Sequence, residues 1–144
     1  MPRECLAVSD NHCAAEVARS IGLTRSAAIL QAAIGSHPEP YLGLVLGATN
    51  GSETSLLDLV SGYTAFLNQG IRMLATPGPI PIPGSRIFSA GAAFITADLL
   101  RTVVSAPHGT ASVLNQFARS TATPLIAKTG TAQRSDFWVV AAAR

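Results

Sequence analysis

Charge is scarce in this 144-residue sequence. Asp, Glu, Lys and Arg make up 12% of it, and Lys128 is its single lysine. Ten basic against eight acidic residues leave a formal net charge of +2, spread along the chain without a basic stripe. That spread gives nucleic-acid binding little support. A pI near 8.8 suits an anionic wall or membrane surface, but so small a charge carries little weight. With 48% hydrophobic residues the chain is too apolar for disorder, and it is long enough to bury one core.

Cysteine is nearly absent. Cys5 and Cys13 lie eight positions apart, which on one continuous helix means about 12 Å along the axis, too far to bridge. The expectation is two small buried thiols. His12 adjoins Cys13, but no second group of ligands follows, which argues against zinc; neither metal nor cofactor is expected. A long apolar run is also missing. The longest charge-free stretch, Thr102 to Ala118, contains Ser, Pro, His, Gly, Thr, Asn and Gln, so no membrane segment is expected. The first ten residues carry Arg3, Glu4 and Asp10 and no apolar core, so no signal peptide is expected either.

What is present is mostly helical. Ala14, Val17, Ala18 and Ile21 recur at helical spacing before Gly22, and Thr24 stands as a cap for Ala27, Leu30 and Ile34 before Gly35. Tyr41 to Gly47 reads as extended or simply buried. Ser55, three residues before Asp58, has capping-box spacing, with Leu56, Leu59, Val60, Tyr63, Phe66 and Leu67 on one face. Thr76 to Pro83 holds four of the nine prolines, which predicts an irregular surface connection. Ser89 caps a further helix carrying Ala92, Ile95, Leu99 and Val103, which Pro107-His108-Gly109 interrupts; a weaker helical patch follows at Val113 to Ala118. After Pro124 the pattern changes to two strands, Leu125 to Ala132 and Phe137 to Ala141, joined by a polar turn from Gln133 to Asp136. Helices followed by a strand pair indicate the α+β class.

Two tripeptides carry chemistry. On a strand, Lys128-Thr129-Gly130 places Lys128 and Gly130 on one face and Thr129 and Thr131 on the other. Such a strand can offer an ammonium and hydroxyls to an anionic ligand, and Gly130 lets a backbone approach closely. A plain surface turn with a solvated lysine suits the same residues. Ser9-Asp10-Asn11, read alone, fits an ordinary turn or a cap on the next helix. Ser-x-x-Lys, Ser-Asp-Asn and Lys-Thr-Gly, however, belong together in class A β-lactamases and penicillin-binding proteins, and here the second and third occur in that order.

The resemblance extends further. The run Glu53 to Gly70, with Tyr63-Thr64-Ala65-Phe66-Leu67-Asn68-Gln69-Gly70, is similar to the Tyr-x-x-Phe-x-Asn-x-Gly helix of penicillin-binding transpeptidases, which β-lactamases do not share. Leu44-Val45-Leu46-Gly47, Arg86 to Leu100, and Lys128 through Trp138 to Val140 resemble further family segments, so the likeness spans nearly the whole chain. It implies one partial transpeptidase domain over 1–144, from the Ser-x-Asn motif to the strand after Lys-Thr-Gly and truncated at both ends, with a class A bifunctional parent. By position, Ser9 resembles the proton-relaying hydroxyl and Asn11 the amide that holds the substrate peptide. Lys128 would supply positive potential, and Thr129 and Thr131, beside Gly130, would bind the carboxylate of a peptidoglycan stem peptide or a β-lactam. The Thr131 N–H would be an oxyanion donor.

One part of the set is missing. The nucleophile of this family is the serine of Ser-x-x-Lys, and with Lys128 the sole lysine and Leu at 125, these residues contain no such motif. The resemblance therefore implies an inactive portion of an extracytoplasmic, periplasmic D,D-transpeptidase. Two other readings stay open: a non-catalytic module that either binds a carboxylate ligand or complements a separately encoded upstream half, and a remnant of a β-lactamase-like hydrolase.

Overall fold

A computed structural model describes residues 2–48, 53–80, 82–132 and 136–143. In chain order it contains α1 (Pro2–Ala7), α2 (Asn11–Ile21), α3 (Leu23–Ile34), a 3-10 turn (Leu42–Leu46) and α4 (Leu56–Leu67). There follow β1 (Ile71–Leu74), β2 (Ile82–Arg86), α5 (Ala90–Ser105), a second 3-10 turn (Ser112–Leu114), α6 (Asn115–Ser120), β3 (Leu125–Ala132) and β4 (Asp136–Ala143). The strands form two antiparallel pairs, β1 with β2 and β3 with β4. The class is α+β, as the sequence pattern indicates. The chain divides into two compact units, residues 11–93 and residues 1–10 with 94–144, with the division falling inside α5.

In the unit 11–93, α2 stops before Gly22 and α3 before Gly35, which takes the left-handed conformation and donates its N–H to Gln31 O. Thr24 is not the cap of α3. That helix begins at Leu23, with Gly22 at the cap position, two residues earlier than a Thr24 cap implies, and has no side-chain cap. The segment read as extended, Tyr41 to Gly47, is helical instead, a 3-10 turn that buries Leu44. Ser55 caps α4 as expected. Its Oγ accepts the Asp58 N–H at 3.1 Å and donates to the Asp58 carboxylate at 2.6 Å.

The buried face of α4 differs from the expected one. Ser61, Gly62 and Ala65 are buried, whereas Leu56 and Val60 are exposed. Small residues win because α3 comes so close: a Cβ on Gly62 would lie 2.8 Å from the Ala33 carbonyl oxygen. The proline-rich stretch also conceals regular structure. Met73 pairs with Pro83 and Leu74 with Ile82, with a register irregularity between Ile71 and Met73. Proline cannot donate to a ladder, so it is tolerated only at edges and irregularities of this kind.

In the other unit, Val103, Val104, Ala111 and Ala127 form the core, with Leu6, Leu114, Ala118 and Leu125 packed on it. The buried stripe of α5 is Ala93, Ala97, Leu100, Val103 and Val104, one residue round from the predicted stripe, and Ile95 is 61% exposed. Again alanines face inward where the large side chains are expected. Arg3 on α1 donates to the Asp98 carboxylate on α5 at 2.5 Å and to the Asp98 carbonyl at 3.2 Å. Cys5 and Cys13 are both disulfide-bonded, not free thiols. The single-helix premise fails because α1 ends at Ala7 and α2 starts only at Asn11.

β3 and β4 stand in register from Leu125 opposite Ala143 to Ala132 opposite Asp136. Most of the predicted turn, 133–135, lies outside the described residues. No helix among the described residues is long and apolar enough to cross a membrane.

Candidate functional site

The register settles the faces of β3. Lys128 stands opposite Val140 and Gly130 opposite Trp138, while Thr129 and Thr131 stand opposite Val139 and Phe137. Residues directly opposite share a face, so Lys128 and Gly130 alternate with the two threonines as the pattern predicts. The strand is anchored at its start, where Ile126 and Ala127 are buried, and it emerges along its length: Lys128 and Thr129 are half-buried, Gly130 and Thr131 exposed.

The Lys128 ammonium does not simply point into water. Its Nζ donates to Ser9 Oγ at 2.7 Å and to the Thr129 carbonyl at 2.8 Å. An ammonium has only donors, so Ser9 accepts and its own proton remains for another acceptor. This polarity suits a hydroxyl that relays a proton. Partial burial holds the Lys128 pKa below the ordinary lysine value, because removal from water disfavours the charged form.

Ser9 reaches Lys128 through an unusual backbone. After α1 the chain closes with Val8 N–H on Glu4 O and Asp10 N–H on Cys5 O, and Ser9 takes φ 60. Left-handed φ is uncommon for a residue with a Cβ and costs about 1 kcal/mol or more. The surroundings of α1 hold it there: Arg3 on Asp98, and His108 Nε2 2.5 Å from Glu4 Oε1. Thr110 N–H, finally, donates to the Ala7 carbonyl at 3.0 Å.

The second threonine contact is one the sequence pattern missed. Thr129 Oγ1 lies 2.7 Å from Thr110 Oγ1. Thr110 follows Pro107-His108-Gly109, which periodicity shows only as an interruption. The available signal was Gly109. A Cβ there would sit 2.3 Å from the Val103 carbonyl oxygen, so glycine alone permits the sharp return that delivers Thr110. Gly130 is the opposite case, since a Cβ on it would meet nothing within 4 Å. Packing inside these residues does not require that glycine.

Asn11, the remaining predicted site residue, is the exposed first residue of α2 and belongs to the unit 11–93. Thr131 is exposed on the face it shares with Thr129. Among the described residues there is no group of three or more potential metal ligands. A shallow cavity lined by Ser105, Pro107, Asn115, Gln116 and Arg119 contains none of the predicted residues.

The family described as the penicillin binding protein transpeptidase domain matches residues 1–141. The chain belongs to that family. Its fold is similar to that of three solved structures. The D,D-transpeptidase domain of a peptidoglycan glycosyltransferase from Eggerthella lenta gives a TM-score of 0.72 at 18% identity, covering 98% of this chain and 44% of that one. A peptidoglycan glycosyltransferase from Burkholderia ambifaria gives 0.65 at 20% identity, covering 94% and 48%. The transpeptidase domain of penicillin-binding protein 3 from Burkholderia pseudomallei gives 0.66 at 19% identity, covering 94% and 47%. The chain thus spans about half the length of those structures. A comparison with curated proteins finds no match.

Proposed function

We propose that these residues, from the Ser-x-Asn motif to the strand after Lys-Thr-Gly, form the substrate-binding wall of an extracytoplasmic D,D-transpeptidase domain. In this reading Lys128 supplies the positive potential, and the Thr129 and Thr131 hydroxyls hold the carboxylate of a peptidoglycan stem peptide or a β-lactam. Ser9 relays a proton toward the leaving amine, and Asn11 holds the substrate's peptide group. The Thr131 N–H donates to the developing oxyanion. The observation that carries the reading is the Lys128–Ser9 hydrogen bond, which joins the two motifs across 119 positions.

No Ser-x-x-Lys occurs in these 144 residues, so acylation needs a nucleophile from elsewhere. A separately encoded upstream half is one such source. A fluorescent penicillin tests this directly. The chain alone should stay unlabelled, and co-expression with a Ser-x-x-Lys segment of a transpeptidase should restore labelling. A serine ester on the chain alone would sink the assignment.

A further inference from the structure

We infer that Thr110 is a positioning residue for the carboxylate site, holding the Thr129 hydroxyl and turning it toward the ligand; this rests on the reading just proposed. The two hydroxyl oxygens are 2.7 Å apart, a full-strength O–H···O contact. The Thr110 backbone is fixed on every side. Its own N–H bonds the Ala7 carbonyl at 3.0 Å, the Ala111 N–H bonds the Val103 carbonyl at 3.0 Å, and the Gly109 N–H bonds the Ala106 carbonyl at 3.0 Å. The loop therefore presents its hydroxyl rigidly, whereas Thr129 alone could turn away.

The chemistry gives the pair two settings. A hydroxyl donates one proton and accepts two. Without ligand, Thr129 donates to Thr110. To hold a carboxylate, Thr129 must give its proton to the ligand, and only a neighbour able to donate can then satisfy the Thr129 oxygen. Thr110 can reverse its role, so the chain becomes Thr110 to Thr129 to carboxylate, each bond polarising the next. No covalent bond changes, and each proton stays on its own oxygen. Lys128 meanwhile donates to the Thr129 carbonyl, so residue 129 is held at both backbone and side chain. Serine at 110 would preserve this device, and valine would abolish it at nearly constant shape.

The test is an NMR titration of the 15N-labelled 144-residue chain with benzylpenicillin, using the unsubstituted chain, Thr110→Ser, Thr110→Val, Thr129→Val, the double variant and Lys128→Ala. Thr110→Ser should bind within twofold of the unsubstituted chain, and Thr110→Val should bind roughly fivefold to tenfold more weakly, within the range for one hydrogen bond between neutral groups. In the Thr129→Val background the further change Thr110→Val should cost nothing, whereas a merely structural role would persist there. Equal binding by Thr110→Val and the unsubstituted chain, with Lys128→Ala still weakened, overturns the inference and leaves the carboxylate reading standing. Binding that ignores Lys128→Ala, or no binding at all, overturns both.

Discussion

Lys128 Nζ and Ser9 Oγ lie 2.7 Å apart, although 119 positions separate them in the chain. The bond is charge-assisted, a type worth about 1.5–3 kcal/mol when buried. Ser9 is exposed and Lys128 half-exposed, so solvent reduces its value to roughly 1 kcal/mol or less. In the proposed site its role is to orient the two side chains rather than to stabilise the fold.

The backbone of Ser9 makes a prediction that separates those two roles. At φ 60 glycine carries no Cβ penalty, so Ser9→Gly should be about 1 kcal/mol more stable than Ser9→Ala. Both variants lose the hydroxyl and should bind benzylpenicillin more weakly. Urea denaturation of the two proteins checks the first point. Equal stabilities would mean that Ser9 is not left-handed in solution.

Binding should depend on alkaline pH through Lys128. Its folded pKa is lowered by desolvation, so the ammonium is lost at lower pH than in an ordinary lysine. Carboxylate affinity should therefore fall as pH rises through that lowered value. Stability moves the other way: between the folded and unfolded pKa values the unfolded chain binds more protons, so stability rises with pH there. Titrations at increasing pH should show weakening that begins below the usual lysine range. An unchanged affinity up to that range contradicts the assignment of Lys128.

Two glycines should respond oppositely to alanine. Gly109→Ala places a Cβ 2.3 Å from the Val103 carbonyl and should destabilise the chain by about 1–3 kcal/mol, in the range for overpacking. Gly130→Ala meets nothing within 4 Å and should leave stability within about 0.5 kcal/mol, while weakening ligand binding by obstructing approach to the strand. Thermal melts with parallel titrations distinguish them. Gly130→Ala with undiminished binding would show that no ligand backbone comes close there.

The Arg3–Asp98 pair should matter little in salt. The Asp98 pKa is lowered, first by its hydrogen bond from Arg3, so its contribution is present above the unfolded carboxylate value and is lost as pH falls through the depressed one. Both side chains are exposed, and exposed pairs are screened. Asp98→Asn should lower the melting temperature slightly at low ionic strength and by less at high ionic strength. A large loss that salt does not diminish would show that this contact locks α1 in place.

Much of this arrangement was legible in the sequence, for stated reasons. The caps at Ser55 and Ser89 act locally, so their spacing alone locates α4 and α5. Alternation along Lys128 to Thr131 fixes the faces of β3 without knowledge of its partner. Packing was misread wherever small residues face inward, as with Gly62 on α4 and Ala93 and Ala97 on α5, because periodicity follows large side chains. The β1–β2 pair was hidden by its prolines, and the cysteines by an assumed continuous helix. Thr110 could not be found from spacing, since its value lies in a contact with Thr129 across the fold.

The central claim is that the Lys128 strand and Ser9 form a carboxylate-binding wall that does not acylate by itself. A 1H–15N NMR titration of the purified chain with benzylpenicillin, followed by dialysis, tests it most directly. The account predicts shifts centred on Ser9 and residues 128–131 that reverse completely when the ligand is removed. Shifts confined to other residues, or a species that survives dialysis, would contradict it.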